Sequence, residues 1–184
     1  MARWAPPELV SAALLGDQAA AERLIAAIWP GCYRLAATVI GDRNLAQDAA
    51  QEACVIVHQK IHSLRTVTAF DAWLYRIIMR EAARVRRRHR VAGESTPDCR
   101  LKSDAATTID IWRALAGLSP GLRDVTVLFY FDDLKSDEIA TILGVAHPTV
   151  RTRLARARER LRGLLDGYGD DARTAQKELE HNAF

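Results

Sequence analysis

The sequence predicts an all-α protein made of two small helical domains joined by a flexible linker, with a helix-turn-helix in the second domain. Strand-like alternation of period two is nearly absent, and Ala, Leu, Arg and Glu dominate throughout. Between residues 91 and 108 the chain is poor in large apolar residues and contains Gly, Pro, Ser and Thr, which is typical of a linker. The predicted units are a first domain at 1–90, a linker at 91–108, a second domain at 109–165 and a tail at 166–184.

The composition narrows the class of protein. The chain has 184 residues, of which 49% are hydrophobic, and this is ample for packed helical cores. No apolar run approaches the roughly 20 residues that span a bilayer, and the start MARWAPPELV lacks a signal-peptide pattern. We therefore expect a cytoplasmic protein without membrane insertion. The net charge of +3 says little by itself, but the arginines are bunched in two places, so we expect two basic surfaces on separate bodies.

The residues that usually carry chemistry form no recognisable set. Cys32, Cys54 and Cys99 are odd in number and widely separated, and they show no CxxC spacing, so they are expected to be ordinary thiols. The sequence contains no evident nucleophile–base pair, phosphate-cradling glycine loop or metal-ligand cluster. It therefore predicts a protein that is not an enzyme and that has no cofactor or metal.

The first helices are bounded by prolines, glycines and capping side chains. A short helix follows Pro7 and stops near Gly16, and Asp17 is placed to cap the next helix. Pro30 should kink or break that second helix, which then resumes over residues 32–40. After Gly41, the spacing of Asn44 and Gln47 predicts an N-cap with its capping-box partner.

The helix that begins there has two unlike faces. The face expected in the core carries Ala46, Ala49, Ala50, Ala53, Val57 and Ile61. The other face is mostly polar and carries Asp48, Gln51, Glu52, Val55 and Gln59. From spacing alone this strip is either plain solvated surface or a docking face for a basic partner.

A fourth helix, predicted over residues 70–88, places aromatic rings beside arginines. Its core stripe is Phe70, Leu74, Ile77, Ile78 and Val85. Beside that stripe lie Trp73, Tyr75, Arg76, Arg80, Arg84, Arg86 and Arg87. Such a surface suits unpaired nucleic acid, because bases stack on rings while guanidinium groups hold the backbone. For Trp73 alone, completion of the core is the favoured interpretation.

Residues 136–164 predict a helix-turn-helix. The first helix has an apolar face and ends at Gly144, and Pro148 suits the opening of the second helix. In the second helix an apolar stripe is flanked on both sides by arginines, while Thr152 and Arg156 point away from the core. Almost no acids alternate with these arginines, so DNA binding is favoured over a merely solvated helix.

Together these segments resemble the sigma-70 family, and specifically its small extracytoplasmic-function (ECF) group. The first domain carries GDRNLAQDAAQE followed by AFDAWLYRI, and the second carries LSPGLRDVTVLFYFDDLKSDEIATILGVAHPTVRTRLARARERL. The resemblance implies binding to core RNA polymerase, opening of the −10 promoter element by the first domain and recognition of the −35 element by the second. It also implies an anti-sigma factor as a further partner.

The resemblance also assigns roles by position. For polymerase docking it implies Asp48, Gln51 and Glu52, and the polar face adds Val55. For −10 DNA it implies Thr66, Thr68, Trp73, Tyr75 and Arg76, and the row of arginines on the same helix adds Arg80 and Arg84. For −35 DNA it implies His147, Thr149, Arg151, Thr152, Arg153 and Arg156, whereas Val150 is expected in the core. The chain departs from the family pattern at Arg80, where Asn is common, and at His147–Pro148, so the promoter sequence does not follow from it. Two rival hypotheses are a stand-alone helix-turn-helix regulator and a protein-binding adaptor.

Overall fold

The computed structural model describes the backbone of residues 4–91 and 114–181, with side chains through residue 89 and from 114 to 164. Within those ranges the regular elements are α-helices and short 3-10 turns, which confirms the predicted fold class. Apart from residue 91, the predicted linker lies outside the described residues, as does Cys99. None of the described helices is both long enough and apolar enough to cross a membrane.

Two modules follow one another along the chain. The N-terminal module comprises α1 (Pro7–Leu14), α2 (Gln18–Ile40), α3 (Arg43–Lys60) and α4 (Phe70–Val91), with 3-10 turns at Ile61–Ser63 and Val67–Ala69. The described part of the C-terminal module starts with helical residues 114–116 and continues with α5 (Pro120–Tyr130), α6 (Ser136–Leu143) and α7 (His147–His181).

The second helix runs through its proline, so the predicted break at Pro30 is wrong. α2 is continuous from Gln18 to Ile40. A proline removes one backbone hydrogen bond, but Ile28 and Cys32 on either side of it are fully buried, and this packing keeps the helix continuous. The ends of α2 match the prediction, because Asp17 caps the helix with a 3.0 Å hydrogen bond from the backbone N–H of Ala20.

The cap of α3 is Asp42 instead of Asn44. The Asp42 carboxylate accepts a 2.9 Å hydrogen bond from the backbone N–H of Leu45, and Asn44 already lies inside the helix. Gly41 ends α2 with a φ of 81°, and this left-handed residue leaves Asp42 extended at the position where its side chain reaches back to the new helix.

The segment predicted as a tail at 166–184 is helical as far as residue 181. α7 continues from the helix-turn-helix to His181 and passes through Gly167 and Gly169. Extending an existing helix avoids the cost of nucleation, and the segment contains three Ala and two Glu, which favour helix. Each glycine costs about 1 kcal/mol relative to alanine, which is too little to end the helix.

The two modules share one core. All six residues predicted for the buried face of α3 are buried, as is the predicted stripe of α4. The same apolar cluster continues into the C-terminal module through Val125, Leu128, Leu134 and Ile139, and α6 packs against α4. The two predicted domains therefore pack against each other in the described part of the chain.

Polar contacts at the carboxyl end of α2 reinforce this shared core. Arg123 of α5 is buried and donates to the carbonyl oxygens of Val39 (3.2 Å) and Ile40 (3.4 Å), which end α2. Arg86 of α4 donates to the same Val39 carbonyl at 3.2 Å and pairs with Asp124 at 3.1 and 3.3 Å. The last carbonyls of a helix have no partners within it, so two arginines satisfy groups that would otherwise be buried without donors.

Candidate nucleic-acid interface

The polar strip on α3 is a real exposed surface. Asp48, Gln51 and Glu52 are exposed, and Val55 is 50% exposed although it is a large apolar residue. We call these four residues the acidic strip. Beside Val55 a groove of about 360 Å³ opens between α2 and α3, and Ile25 and His58 contribute to its walls. Val55 therefore adds an apolar side chain to an otherwise polar, exposed face of α3.

The thiols beneath this strip belong to the core. Cys32 and Cys54 are buried free thiols. A hydrogen bond between them raises the pKa of Cys32, which burial raises further, and lowers the pKa of Cys54. Among the described residues, no group of three or more His, Cys, Asp or Glu side chains is arranged to hold a metal ion.

Arg84, predicted as a DNA contact, faces the acidic strip. One guanidinium nitrogen of Arg84 lies 3.2 Å from a carboxylate oxygen of Glu52, and its Nε contacts the carboxylate of Glu81. Arg84 also lines a cleft between α3 and α4 together with Asp48 and Gln51. The structure therefore separates Arg84 from the other arginines predicted to contact −10 DNA.

The remaining −10 candidates form an exposed surface on α4 and the loop before it. Arg76 and Arg80 are exposed on α4, and Thr66 and Thr68 are exposed in the loop. The Thr68 hydroxyl donates to Thr66 Oγ1 at 3.2 Å. Trp73 is half-buried and lies against Phe70, with ring centroids 6.2 Å apart, so it completes the core and also leaves part of its ring accessible.

Tyr75 does not belong to this surface. It is 1% exposed, and its ring packs edge-on against Trp4 with centroids 5.0 Å apart. Burial raises the pKa of Tyr75, and the nearby carboxylates of Asp132 and Asp71 raise it further. Burial likewise raises the pKa of Asp132. The prediction of Tyr75 as a DNA contact is therefore wrong for this conformation, because the C-terminal module and Trp4 enclose its ring.

The helix-turn-helix has the predicted geometry. α6 ends at Gly144, whose φ of 65° is left-handed, and the N–H groups of Gly144 and Val145 return to the carbonyl oxygen of Ala140. At the start of α6 the Glu138 carboxylate accepts a 2.9 Å hydrogen bond from the backbone N–H of Lys135. Val150 is buried as predicted, so the turn and one apolar stripe fix α7 against α6.

The outer face of α7 presents most of the predicted −35 residues to solvent. His147, Arg151, Thr152 and Arg156 are exposed, and Thr149 is half-buried. The Thr152 hydroxyl donates to the carbonyl oxygen of Pro148 at 2.9 Å, which leaves its oxygen able to accept. Arg153 differs from these residues because it is half-buried, and its guanidinium lies beside Gly121 at the start of α5.

We expect the turn to depend on a glycine at position 144. Gly144→Ala should lower the free energy of unfolding by about 1–2 kcal/mol in urea titrations, because a Cβ strains left-handed backbone. No neighbouring atom lies near the added Cβ, so strain is the sole cause. Gly163→Ala is the matched control. An added Cβ at Gly163 also meets no neighbouring atom, but Gly163 lies within helix α7, so this substitution should stabilise the protein by about 0.5–1 kcal/mol. Equal effects at both positions would contradict this account of the turn.

An all-helical chain that presents an arginine-rich helix from a helix-turn-helix belongs to the DNA-binding class of proteins. Comparison with known proteins narrows that class. Residues 24–91 match the family model for sigma-70 region 2, and residues 108–161 match that for sigma-70 region 4. The chain therefore belongs to the sigma-70 family, within its ECF group.

Curated relatives agree with this assignment. The chain is 32% identical over 177 residues to the ECF RNA polymerase sigma factor SigE of Mycolicibacterium smegmatis, covering 88% of this chain and 68% of the relative. It is 33% identical over 166 residues to SigM of Mycobacterium tuberculosis, covering 88% and 84%.

Two solved structures have a similar fold. CnrH, in complex with the cytosolic domain of CnrY, matches with a TM-score of 0.69 at 24% identity, covering 88% of this chain and 97% of CnrH. The sigma factor RpoE from Bartonella quintana, in complex with the anti-sigma factor NepR, matches with a TM-score of 0.64 at 23% identity, covering 79% of this chain and 96% of RpoE.

Several structural residues could not be found from the sequence. Arg86 meets Asp124 across 38 positions, and Arg123 meets the Val39 carbonyl across 84, and spacing along one helix carries no signal of such contacts. The buried Glu81 is a further example, since an acid between arginines suggests a solvated face.

Proposed function

We propose that this chain is an ECF sigma factor that binds core RNA polymerase through the acidic strip and directs it to promoters whose −10 and −35 elements its two modules contact. The observation that carries the proposal is the occurrence, in one chain, of this strip and an arginine-rich helix-turn-helix. The chain would supply binding and positioning but no covalent chemistry. It would act in the cytoplasm, where polymerase and promoter DNA meet.

Polymerase docking is supported by the chemistry of α3. The carboxylates of Asp48 and Glu52 lie one turn apart on an exposed face, and Val55 continues that face by nearly another turn. Such a face fits a basic helical surface that carries an apolar side chain. Charge complementarity would orient the complex, and burial of Val55 would add apolar contact.

The −10 element would lie along α4. Arg76 and Arg80 can hold the backbone of an unwound strand, and the accessible part of Trp73 offers a ring for stacking. Thr66 and Thr68 present hydroxyl groups in the loop before α4, where an extruded base could accept or donate hydrogen bonds. Binding of unpaired bases here would offset part of the few kcal/mol lost when they unstack.

The −35 element would receive the first turns of α7 in its major groove. The side chains of Arg151, Thr152 and Arg156 project from the exposed face of this helix, as expected of a recognition helix. Arginine at a base edge gives sequence preference, whereas arginine at a phosphate gives affinity that depends on salt.

The shared core sets a requirement on this mechanism. The −10 and −35 elements are about 25 base pairs apart, or roughly 85 Å along B-form DNA. Even α7, the longest described helix at 35 residues, spans only about 52 Å. Polymerase would therefore have to hold the modules apart, which breaks the contacts of Arg86 with Asp124 and of Arg123 with the end of α2. Simultaneous engagement of both elements would then supply avidity.

An anti-sigma factor is a further proposed partner. The sigma factor RpoE of Bartonella quintana, which has a similar fold, is solved with such a protein. A partner that stabilises the closed packing of the two modules would keep the chain from polymerase by mass action. No described residue identifies this partner.

The proposal is tested by run-off transcription with purified core polymerase on fragments of the source genome. We expect the chain to co-purify with core polymerase and to yield discrete transcripts that core polymerase alone does not make. A stand-alone regulator would instead bind a symmetric operator without polymerase. Absence of a polymerase complex together with operator binding would refute the sigma-factor assignment in favour of that alternative.

Arginines of the recognition helix provide a prediction for the −35 contact. Arg151→Ala and Arg156→Ala should each weaken holoenzyme binding by about 1–3 kcal/mol at one base position if the residue contacts a base. If it contacts phosphate, binding should weaken for all sequences and the salt slope should fall by about 1. Fluorescence anisotropy on promoter variants across a salt series measures both. Arg23→Ala, an exposed arginine on α2, is the control, and effects no larger than its effect would contradict the docking of α7.

A further inference from the structure

Three charged side chains, Glu81, Arg84 and Glu52, form a row of ion pairs from the buried face of α4 to the acidic strip on α3. Glu81 on α4 is buried, with 5% of its surface exposed. Arg84, one turn later, contacts the Glu81 carboxylate through Nε and the Glu52 carboxylate through a terminal nitrogen at 3.2 Å. The exposed fractions of the side chains rise from 6% for Glu81 to 30% for Arg84 and 53% for Glu52. The guanidinium thus bridges a fixed internal acid and an accessible surface acid.

The position of Arg84 around α4 explains why it differs from its neighbours. On a helix with 3.6 residues per turn, Arg84 lies only about 20° from the buried Ile77, whereas Arg76 lies about 100° from it. Arg76 and Arg80 accordingly face solvent, while Arg84 lines the cleft between α3 and α4. Spacing alone places Arg76, Arg80 and Arg84 in one basic row. In the structure, Arg84 instead lies in the cleft between α3 and α4, while the other two are exposed.

We propose that Arg84 is a positioning residue for polymerase binding, in which Glu81 anchors its guanidinium and the guanidinium holds the Glu52 carboxylate in its docking geometry. This inference rests on the proposed function of the acidic strip. It assigns Arg84 to the polymerase interface and removes it from the DNA surface.

The physical basis is preorganisation. An exposed glutamate samples many rotamers, and ordering such a side chain on binding reduces affinity. The pair with Arg84 orders Glu52 before polymerase arrives, and Arg84 is itself ion-paired with the buried Glu81 carboxylate. The contact engages Oε2 of Glu52, and more than half of that side chain stays exposed, so the carboxylate remains able to meet a polymerase cation.

The first test is the affinity of the full chain for core polymerase. Arg84→Met should weaken binding about fivefold, the size expected for losing one partly exposed ion pair. Arg84→Lys should retain part of the affinity, because it keeps the charge but loses the planar fork. Arg160→Met is the matched control, since Arg160 is an exposed arginine on α7, in the other module.

A second variant separates positioning from folding. Removing Arg84 alone leaves the buried Glu81 carboxylate without this cation, which destabilises the module. The double variant Glu81→Gln with Arg84→Met removes the buried charge as well, so its urea midpoint should be close to that of the wild type. Its polymerase affinity should still be about fivefold lower. Wild-type affinity in this double variant, with normal stability, would overturn the proposal, as would tighter binding, which would mean that Arg84 masks Glu52.

A double-mutant cycle completes the test. If Arg84 acts through Glu52, Arg84→Met should cause no further loss of polymerase affinity in a Glu52→Gln background. Preassembled holoenzyme that contains the Arg84→Met variant should bind −10 DNA as tightly as the wild-type holoenzyme. Holoenzyme that contains the Arg80→Met variant should bind −10 DNA more weakly. Additive losses in the cycle, or loss of −10 DNA binding with Arg84→Met, would overturn the inference. If the wild-type protein does not bind core polymerase at all, the proposed function itself is wrong, and this outcome is distinct from failure of the inference about Arg84.

Discussion

Replacing Asp48 and Glu52 together by lysine should weaken binding to core RNA polymerase by at least about 100-fold. Both carboxylates are exposed on the same face of α3, so the double reversal presents two cations where a basic partner surface is expected. Placing like charges opposite each other at an interface costs several kcal/mol. Surface-immobilised core polymerase and a concentration series of each variant would measure the loss.

The control for this experiment has the same change in net charge. Glu8→Lys with Glu159→Lys reverses two exposed acids on α1 and α7, away from the acidic strip. This variant should bind core polymerase within about twofold of the wild type, and circular dichroism should show equal helicity for both double variants. Equal losses in the two variants would mean that overall charge, and not the acidic strip, governs the association.

Arg123→Met should lower the free energy of unfolding by about 2–4 kcal/mol, although the residue contacts neither polymerase nor DNA in the proposed mechanism. The Arg123 guanidinium is buried and donates to carbonyl oxygens at two places in the fold. Within its own module it binds the carbonyls of Leu115, Ala116 and Leu118, and across the modules it binds those of Val39 and Ile40. Methionine fills a similar volume but leaves these acceptors without that donor. Urea titration followed by tryptophan fluorescence measures the change.

Arg160→Met provides the comparison, because Arg160 is exposed in the same module and its replacement should change stability by no more than about 0.5 kcal/mol. Asp124→Asn tests the contact between the modules separately, since it weakens the pair with Arg86 and leaves Arg123 in place. Its effect should be smaller than that of Arg123→Met. A cost for Arg123→Met as small as that for Arg160→Met would show that water replaces the lost hydrogen bonds.

Local features of the fold could be predicted where one helix carries its own signals. The alanine face of α3, the stripe of α4 and the turn at Gly144 follow from periodicity and from the conformational freedom of glycine, and the structure confirms them. The helix break predicted at Pro30 is absent because the packing of Ile28 and Cys32 outweighs one lost hydrogen bond. The cap at Asp42 was missed because two nearby polar residues compete for one role.

The candidate sites were harder to predict, because a side chain's partner is a property of the tertiary structure. Tyr75 and Arg84 share the helix of the exposed arginines, yet Tyr75 is covered by Trp4 and the C-terminal module, and Arg84 turns toward Glu52. Exposure of the acidic strip and of α7 agrees with the expectation from sequence. The roles of those residues remain predictions that the experiments above test.

The arginine contacts at the carboxyl end of α2 have a consequence for measured holoenzyme affinity. If only a fraction of free chains has separated modules at any moment, the apparent dissociation constant equals the intrinsic constant divided by that fraction. Each tenfold decrease in the open population would therefore require a tenfold higher chain concentration to saturate the same amount of polymerase. Substitutions far from every contacted base could in this way set how much sigma factor a cell must make before its promoters respond.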